Sequence, residues 1–213
     1  MAPLYVNAAS FPPVDGAPVL GRVERCIVVV VVAHGWDAVP MSGYVMPAAE
    51  AIRLLGSLRE HGVDACVGGG WGVDALLGEQ TRDHSDLDLW LEAAALEGLF
   101  RAFATQDLDR IHPWPGDRPW NFVLHDGRTR RVDLHLYETV SDGSIHYGSI
   151  RNPFVLPETA LSHEGVIQGE PVRCEEPSWA VRFHTGYVLR PSDRHDVMRL
   201  CERYNLELPT EYR

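Results

Sequence analysis

Cysteine is scarce in this chain. The four residues, Cys26, Cys66, Cys174 and Cys201, stand far apart and form no C-x-x-C pair. That pattern argues against a disulfide framework or a thiolate zinc site and fits reduced thiols in a cytoplasm. Basic residues are short as well, with 19 Lys and Arg against 30 acids and a formal charge of −11. Proteins that coat DNA draw most of their affinity from basic patches, so DNA is not an expected partner. The acidic balance suits solubility or a small cationic ligand. Long apolar runs are also missing. The longest, CIVVVVVA from Cys26 to Ala33, follows Arg22, Glu24 and Arg25 and covers less than half of a bilayer-spanning helix. It lacks the cleavage pattern of a secretory signal and reads as a buried strand, with no membrane partner expected. Internal repeats and low-complexity tracts are absent.

What is present suits one soluble α/β core with a smaller appended region: 213 residues, 45% apolar and 23% charged. Residues 1–45 are rich in Pro and Gly and form an N-terminal extension of unclear role. A helix is expected over 47–61, opened by Pro47 and closed by Gly62. A short strand follows at 63–67, then a glycine turn and short helix in GGGWGVDALLG (68–78), a strand in LDLWL (87–91) and a helix over 92–105 with Leu96, Leu99, Phe100 and Phe103 on one side. Asp126-Gly127 marks a hairpin with arms Trp120–His125 and Thr129–Tyr137, and Gln168-Gly169 marks a second. Helices are expected over 177–189 and in RHDVMRLCERYN, the last one capped by Ser192 or Asp193. The organisation expected is an extension (1–45), a core domain with a mixed sheet flanked by helices (46–140) and a mainly helical C-terminal region with a hairpin (141–213).

Two strands carry the chemistry. Side chains alternate along a strand, so Leu87, Leu89 and Leu91 enter the core while Asp86, Asp88 and Trp90 share the other face. RVDLHLY repeats the arrangement, with Val132, Leu134 and Leu136 inward and Arg131, Asp133, His135 and Tyr137 opposite. If the strands are neighbours, three carboxylates converge. Two unit charges ~4 Å apart repel by about 4 kcal/mol at an effective dielectric near ~20. A divalent cation relieves that repulsion, and Mg²⁺ takes hard oxygen ligands together with substrate phosphates. A D-x-D pair alone is a weak signal, because surface strands often alternate acids with apolar residues. The GGG-W turn adds to it, since its backbone N–H groups can cradle phosphate, though a run of glycines can equally be a tight turn.

Together the segments resemble a known signature. VGGGWGVDALLGEQTRDHSDLDL (67–89) is similar to that of the small antibiotic nucleotidyltransferases of the DNA polymerase beta superfamily, the lincosamide nucleotidyltransferases and aminoglycoside 2″-nucleotidyltransferases above all. The matching positions are Gly69, Gly70, Trp71, Val73, Asp74, Gly78, Thr81, Arg82, His84, Asp86 and Asp88, continued by VDLH (132–135) and by a tail, FHTGYVLRPSDRHDVMRLCERYNLELPTEY, that looks lincosamide-like. The likeness covers 47–213.

The resemblance implies a nucleotidyltransferase core, a Mg²⁺-bound nucleoside triphosphate (ATP first), and transfer of a nucleoside monophosphate to a hydroxyl of a small acceptor. A lincosamide-like antibiotic is the first candidate acceptor and an aminoglycoside the second. It implies Asp86, Asp88 and Asp133 as metal ligands and Asp133 also as general base. It implies Gly69, Gly70, Arg82 and Arg182 as triphosphate contacts, with an ion pair to Asp83 or Asp86 as the competing role for Arg82. His84 and His135 read first as structural groups, Asp74 as a cap or orienting group, and His184, Tyr187, Asp193, His195 and Asp196 as parts of the fold. Two other readings stay open: nucleotidyl transfer to a protein or RNA, as in toxin–antitoxin systems, and nucleotide binding without catalysis. A homodimer is also left open.

Overall fold

In the computed structural model, residues 43–112 and 118–213 are described; the Val-rich strand expected at 26–33 and the extension up to residue 42 lie outside them. The first helix, α1 (Ala48–Glu60), begins directly after Pro47 and turns Ala51, Leu54, Leu55 and Leu58 inward. Gly62, at φ +74°, lets the chain reverse into β1 (Cys66–Gly68). Helix α2 (Gly69–Leu77) follows without a loop and ends at Gly78, which is left-handed. Strand β2 (Leu87–Glu92) leads through a short 3₁₀ turn into α3 (Leu96–Ala104). That helix buries Leu99, Ala102 and Phe103 but leaves Phe100 47% exposed, so the expected apolar face is narrower by one residue.

The rest of the chain is largely strand. β3 (Arg110–His112), β4 (Asn121–His125) and β5 (Arg131–Thr139) form a meander, β6 (Ile145–Ser149) and β7 (Asn152–Leu156) a hairpin, and β8 (His163–Ile167) and β9 (Glu170–Cys174) a second hairpin around Gln168-Gly169. All nine join one mixed sheet with the path β3-β4-β5-β2-β1-β9-β8, and β6 extends from the far end of β5. The β2–β5 and β1–β9 pairs are parallel and the others antiparallel. Stretches 46–140 and 141–213 therefore share one sheet. Helices α4 (Pro177–Phe183) and α5 (Pro191–Tyr204) close the fold.

Several boundaries differ from expectation: β1 begins at Cys66 rather than at 63, α3 at Leu96 rather than at 92, and two more differ near the C-terminus. The helix expected to run to 189 stops at Phe183, because His184-Thr185-Gly186 turns the chain and Gly186 sits at φ +84°. Helix α5 is capped at Arg190, whose backbone N–H donates to Asp193 Oδ2 at 2.7 Å, so Asp193 acts from the third helical position.

The sheet has two unlike faces. On one, Leu87, Leu89, Leu91, Val132 and Leu134 pack with Leu54, Leu58, Trp71, Phe103, Val197 and Leu200 into the main core. On the other, Cys66, Trp90, Tyr137, Ile145, Leu156 and Leu161 form a smaller cluster. The acid-bearing positions lie on this second face, where the apolar cover ends. Cys66, Cys174 and Cys201 are buried and unbonded. Among the described residues no helix is long and apolar enough to cross a membrane.

Candidate active site

The parallel register of β2 and β5 sets Asp88 opposite Asp133 and Trp90 opposite His135, with Leu87, Leu89 and Leu91 facing Val132, Leu134 and Leu136 in the core. Parallel partners in register point to one side, so the two aspartates project together. His135 stands between them, with Nε2 3.9 Å from Asp88 Oδ1 and 3.9 Å from Asp133 Oδ1. Its other nitrogen, Nδ1, is 3.0 Å from the Tyr147 hydroxyl on β6, and its ring stacks on Trp90 with centroids 4.6 Å apart. Asn121 on β4 donates to Asp133 Oδ1 at 2.8 Å.

Asp86 lies just before β2 and its carboxylate pairs with the Arg131 guanidinium, the residue that the register places across from it. The three expected acids thus reach one cleft, but they are not equivalent. Asp86 is tied to an arginine, and His135 occupies the place beside Asp88 and Asp133 that a third carboxylate would otherwise take. The carboxylates of Asp88 and Asp133 and the imidazole of His135 can each offer one atom within 4.8 Å of the others.

The electrostatics follow. Burial pushes the Asp133 carboxyl up to about 6; His135 opposes this and the negative charge of Asp88 adds to it. Burial also works against the charge on Asp88, but His135 beside it brings the net value below the usual carboxylate range. Asp86 is raised, by burial first and by Asp88 second, with Arg131 offsetting part of the rise. Burial lowers the His135 imidazole, but Asp88 and Asp133 outweigh it and the net shift is upward.

The glycine turn abuts the acids. Gly68 pairs with Asp88 across β1 and β2. At Gly69, φ is +55° and a Cβ would lie 2.1 Å from Asp88 Oδ2, so no side chain fits. A Cβ on Gly70 would meet Arg82 Nη2 at 2.3 Å and His84 Nδ1 at 2.6 Å. The first turn of α2 is therefore pressed against the acid-bearing edge of β2.

Other signature residues hold the loop that delivers β2. Asp74 Oδ1 accepts from the Thr81 backbone at 3.1 Å and from its hydroxyl at 2.6 Å, while Oδ2 is 2.5 Å from His84 Nε2. His84 packs on Trp71, whose indole N–H donates to the Met46 carbonyl at 3.0 Å. Arg82 pairs with neither Asp83 nor Asp86 through its carboxylate. It forms a bidentate pair with buried Asp196 of α5, at 3.0 Å and 2.6 Å, while its edge still lines the cleft beside Gly70. Arg182 does not reach the cleft lining; its guanidinium lies over Trp179 at 4.7 Å and Phe154 at 5.6 Å.

One acid escaped sequence reasoning. Glu175 is 2% exposed, lines the cleft floor, and accepts from the Trp90 indole N–H at 2.7 Å through Oε1. Its Oε2 is buried without a hydrogen-bond partner among the described residues. Burial pushes it up to about 8; Trp90 opposes the shift and Asp88 reinforces it. The only signal was the Glu175-Glu176-Pro177 run, and of that pair Glu176 is the helix cap, accepting from the Ser178 and Trp179 backbone. The cleft encloses about 470 Å³, and Asp88, Asp133, Glu175, Tyr187 and Arg190 are among the residues that line it.

A mixed sheet that presents paired aspartates beside a glycine turn and helix is the arrangement of a nucleotidyltransferase fold. Two solved structures share it. The lincosamide antibiotic adenylyltransferase LnuA, crystallised with lincomycin, aligns with a TM-score of 0.65 at 23% identity, over 76% of this chain and 99% of that one. ANT(2")-Ia in complex with adenylyl-2"-tobramycin aligns with a TM-score of 0.56 at 21% identity, over 74% and 88%. Residues 51–200 match the aminoglycoside-2''-adenylyltransferase family, and the chain belongs to it. Among curated relatives, a lincosamide resistance protein of Staphylococcus haemolyticus is 26% identical over 71% of this chain and 92% of its own length. A 2''-aminoglycoside nucleotidyltransferase of Klebsiella pneumoniae is 30% identical over 60% of this chain and 65% of its own.

Proposed function

We propose that the protein transfers a nucleoside monophosphate, AMP first, from a Mg²⁺-bound nucleoside triphosphate to a hydroxyl of a lincosamide-like antibiotic, with an aminoglycoside as the second candidate acceptor. The observation that carries this reading is the in-register pair Asp88–Asp133, two buried-edge carboxylates that face each other across parallel strands beside a glycine turn. Family membership and the names of the relatives support the reaction class.

The donor set fits a divalent cation, because two carboxylate oxygens and an imidazole nitrogen converge. Asp88 and Asp133 would hold it, with Asp86 at the rim beside Arg131. Bound there, Mg²⁺ supplies neutralisation of charge at the α-phosphorus and on the departing pyrophosphate. Asp133 is the general base. Held by Asn121 at Oδ1, it takes the proton of the acceptor hydroxyl as the oxygen–phosphorus bond forms and the bond to pyrophosphate breaks. The first turn of α2, Gly69 and Gly70, contacts the phosphates through backbone N–H groups. Arg82 borders Gly70 and, pinned by Asp196, presents its edge at little further entropic cost. Arg182, which stacks on Trp179 and Phe154, is not given a phosphate role.

The test is direct. The protein is incubated with Mg-ATP and a panel of lincosamides and aminoglycosides, and products are read by mass spectrometry. An adduct heavier by one nucleotide on a drug is expected. Absence of any drug adduct, with a nucleotidylated protein or RNA instead, overturns the acceptor assignment.

A further inference from the structure

Glu175 is a buried acid to which the transfer step above gives no task. Burying a carboxylate without a counter-ion is costly. Among the described residues its side chain has one hydrogen bond, from the Trp90 indole N–H to Oε1 at 2.7 Å, and Oε2 has none. The chain makes room for this pair. Gly68 has φ −116°, which any residue adopts, so its missing side chain answers to space. A Cβ there would lie 2.5 Å from Glu175 Oε1 and 2.9 Å from Trp90 Nε1. The Glu175 backbone N–H donates to the Val67 carbonyl at 3.2 Å, which fixes the acid to the strand that leads into the glycine turn.

From Trp90 the contacts run on to the aspartates. The indole stacks on His135 with centroids 4.6 Å and planes 24° apart, and Phe183 and Tyr147 pack on it at 5.0 Å and 4.8 Å. His135 Nε2 stands 3.9 Å from both Asp88 Oδ1 and Asp133 Oδ1. Stacking by itself leaves a ring room to slide, because several offset arrangements are favourable. A hydrogen bond to a fixed, charged acceptor removes that freedom, since it is strong and weakens steeply when misaligned.

We propose that Glu175 is a positioning residue for nucleotidyl transfer: its Oε1 fixes the Trp90 indole, the indole fixes the His135 ring, and the ring sets the placing of the Asp88 and Asp133 carboxylates. This deepens the proposed function and rests on it. The oxygen carries the role and the charge does not, so glutamine can replace glutamate.

The first readout needs no turnover. In the full, ligand-free chain labelled with ¹⁵N, Glu175→Leu is expected to shift the Trp90 indole N–H and the His135 ring resonances, and Glu175→Gln to return both toward their wild-type positions. Trp90→Phe and His135→Gln spectra assign the signals, and circular dichroism checks each variant. The second readout is transfer from Mg-ATP to lincomycin. Glu175→Leu should lower kcat by roughly 10- to 100-fold with the KM for ATP unchanged, the cost of a small misplacement at a reacting centre, and Glu175→Gln should restore most of it. Trp90→Phe keeps a stacking ring but lacks the N–H, so it should resemble Glu175→Leu. The double variant should be no slower than either, as for two residues on one path. His135 resonances that stay in place in Glu175→Leu overturn the proposal. So do losses that multiply in the double variant, or a Glu175→Gln variant as slow as Glu175→Leu. If the wild type transfers nothing to lincomycin, the acceptor reading has failed, and the resonances alone decide this one.

Discussion

Two populations of aspartate and glutamate differ in what faces them. Asp74, Asp193 and Asp196 are buried to within 2% exposure, and each meets strong donors: Thr81 and His84, the Arg190 backbone and side chain, and the Arg82 fork. Asp88 and Asp133 face each other with a histidine between them, and Glu175 has one oxygen on an indole and the other on nothing described. The first set ties α2, the loop before β2 and α5 together. In the second, burial leaves the ionised forms of Asp133 and Glu175 unfavourable, while His135 favours that of Asp88. Acids of the first kind therefore hold the fold and cost stability when removed. Acids of the second kind cost activity when removed, with little cost to the metal-free fold for the upward-shifted Asp133 and Glu175 and a modest one for Asp88, which His135 holds below the usual range.

The sharpest break in that comparison is Asp88→Asn. Transfer should fall on the order of 10³-fold or more, because a metal site supplies several kcal/mol to the transition state. The melting temperature without metal should fall modestly, since His135 loses the carboxylate that it holds below the usual range, offset in part by the like charge that Asp133 no longer meets. A variant that loses activity and melts well below the wild type would move Asp88 into the structural set. Asp133→Asn should still bind nucleotide in a titration but turn over about 10²–10⁴-fold more slowly, the usual range for a general base. Normal turnover would remove that role.

How much of this was legible beforehand depends on the range of the interaction. Period-2 alternation in LDLWL and RVDLHLY assigned the leucines of these two strands and Asp86, Asp88 and Asp133 to their faces, and that follows from strand geometry alone. Asp126-Gly127 and Gln168-Gly169 placed two hairpins because their turns need glycine or a left-handed residue, and Gly127, Gln168 and Gly169 all have positive φ. The β6–β7 hairpin went unread. Its strands, IHYGS and NPFVL, contain glycine and proline and are mostly half-exposed, so they carry no clean alternation. The partners were hidden for another reason. Arg82 meets Asp196 across 114 residues and Trp90 meets Glu175 across 85, and no local pattern encodes such a pairing. Asp86 with Arg131 and His135 with Asp88 follow once β2 and β5 are set in parallel register, a fact of topology that alternation by itself leaves open.

Within the structural set, Asp196→Asn should cost about 3 kcal/mol of stability. It strips the bidentate acceptor from Arg82, whose side chain is 27% exposed, so the loss should sit at the lower end of the range for a broken buried pair. Denaturant titration measures it. Activity per folded molecule should change far less than for Asp88→Asn, provided that the Arg82 edge stays beside Gly70. A loss of activity without a loss of stability would mean that Asp196 serves the cleft more than the fold.

Glu175 tests whether a cleft acid costs the fold anything at all. Burial holds its proton to about pH 8 in the folded protein, while an unfolded glutamate releases it near 4.5. Between those values the folded state binds the extra proton, so stability falls as pH rises through the window and the full loss is reached above pH 8. Glu175→Gln keeps an oxygen for the Trp90 indole and cannot ionise. In metal-free buffer it should match the wild type near pH 4 and exceed it by about 4 kcal/mol at pH 8. The readout is the difference in slope of unfolding free energy against pH, which a simple packing defect would not change. Parallel slopes would show that Glu175 ionises as easily folded as unfolded, and would return it to the paired set through a donor that Oε2 reaches in solution.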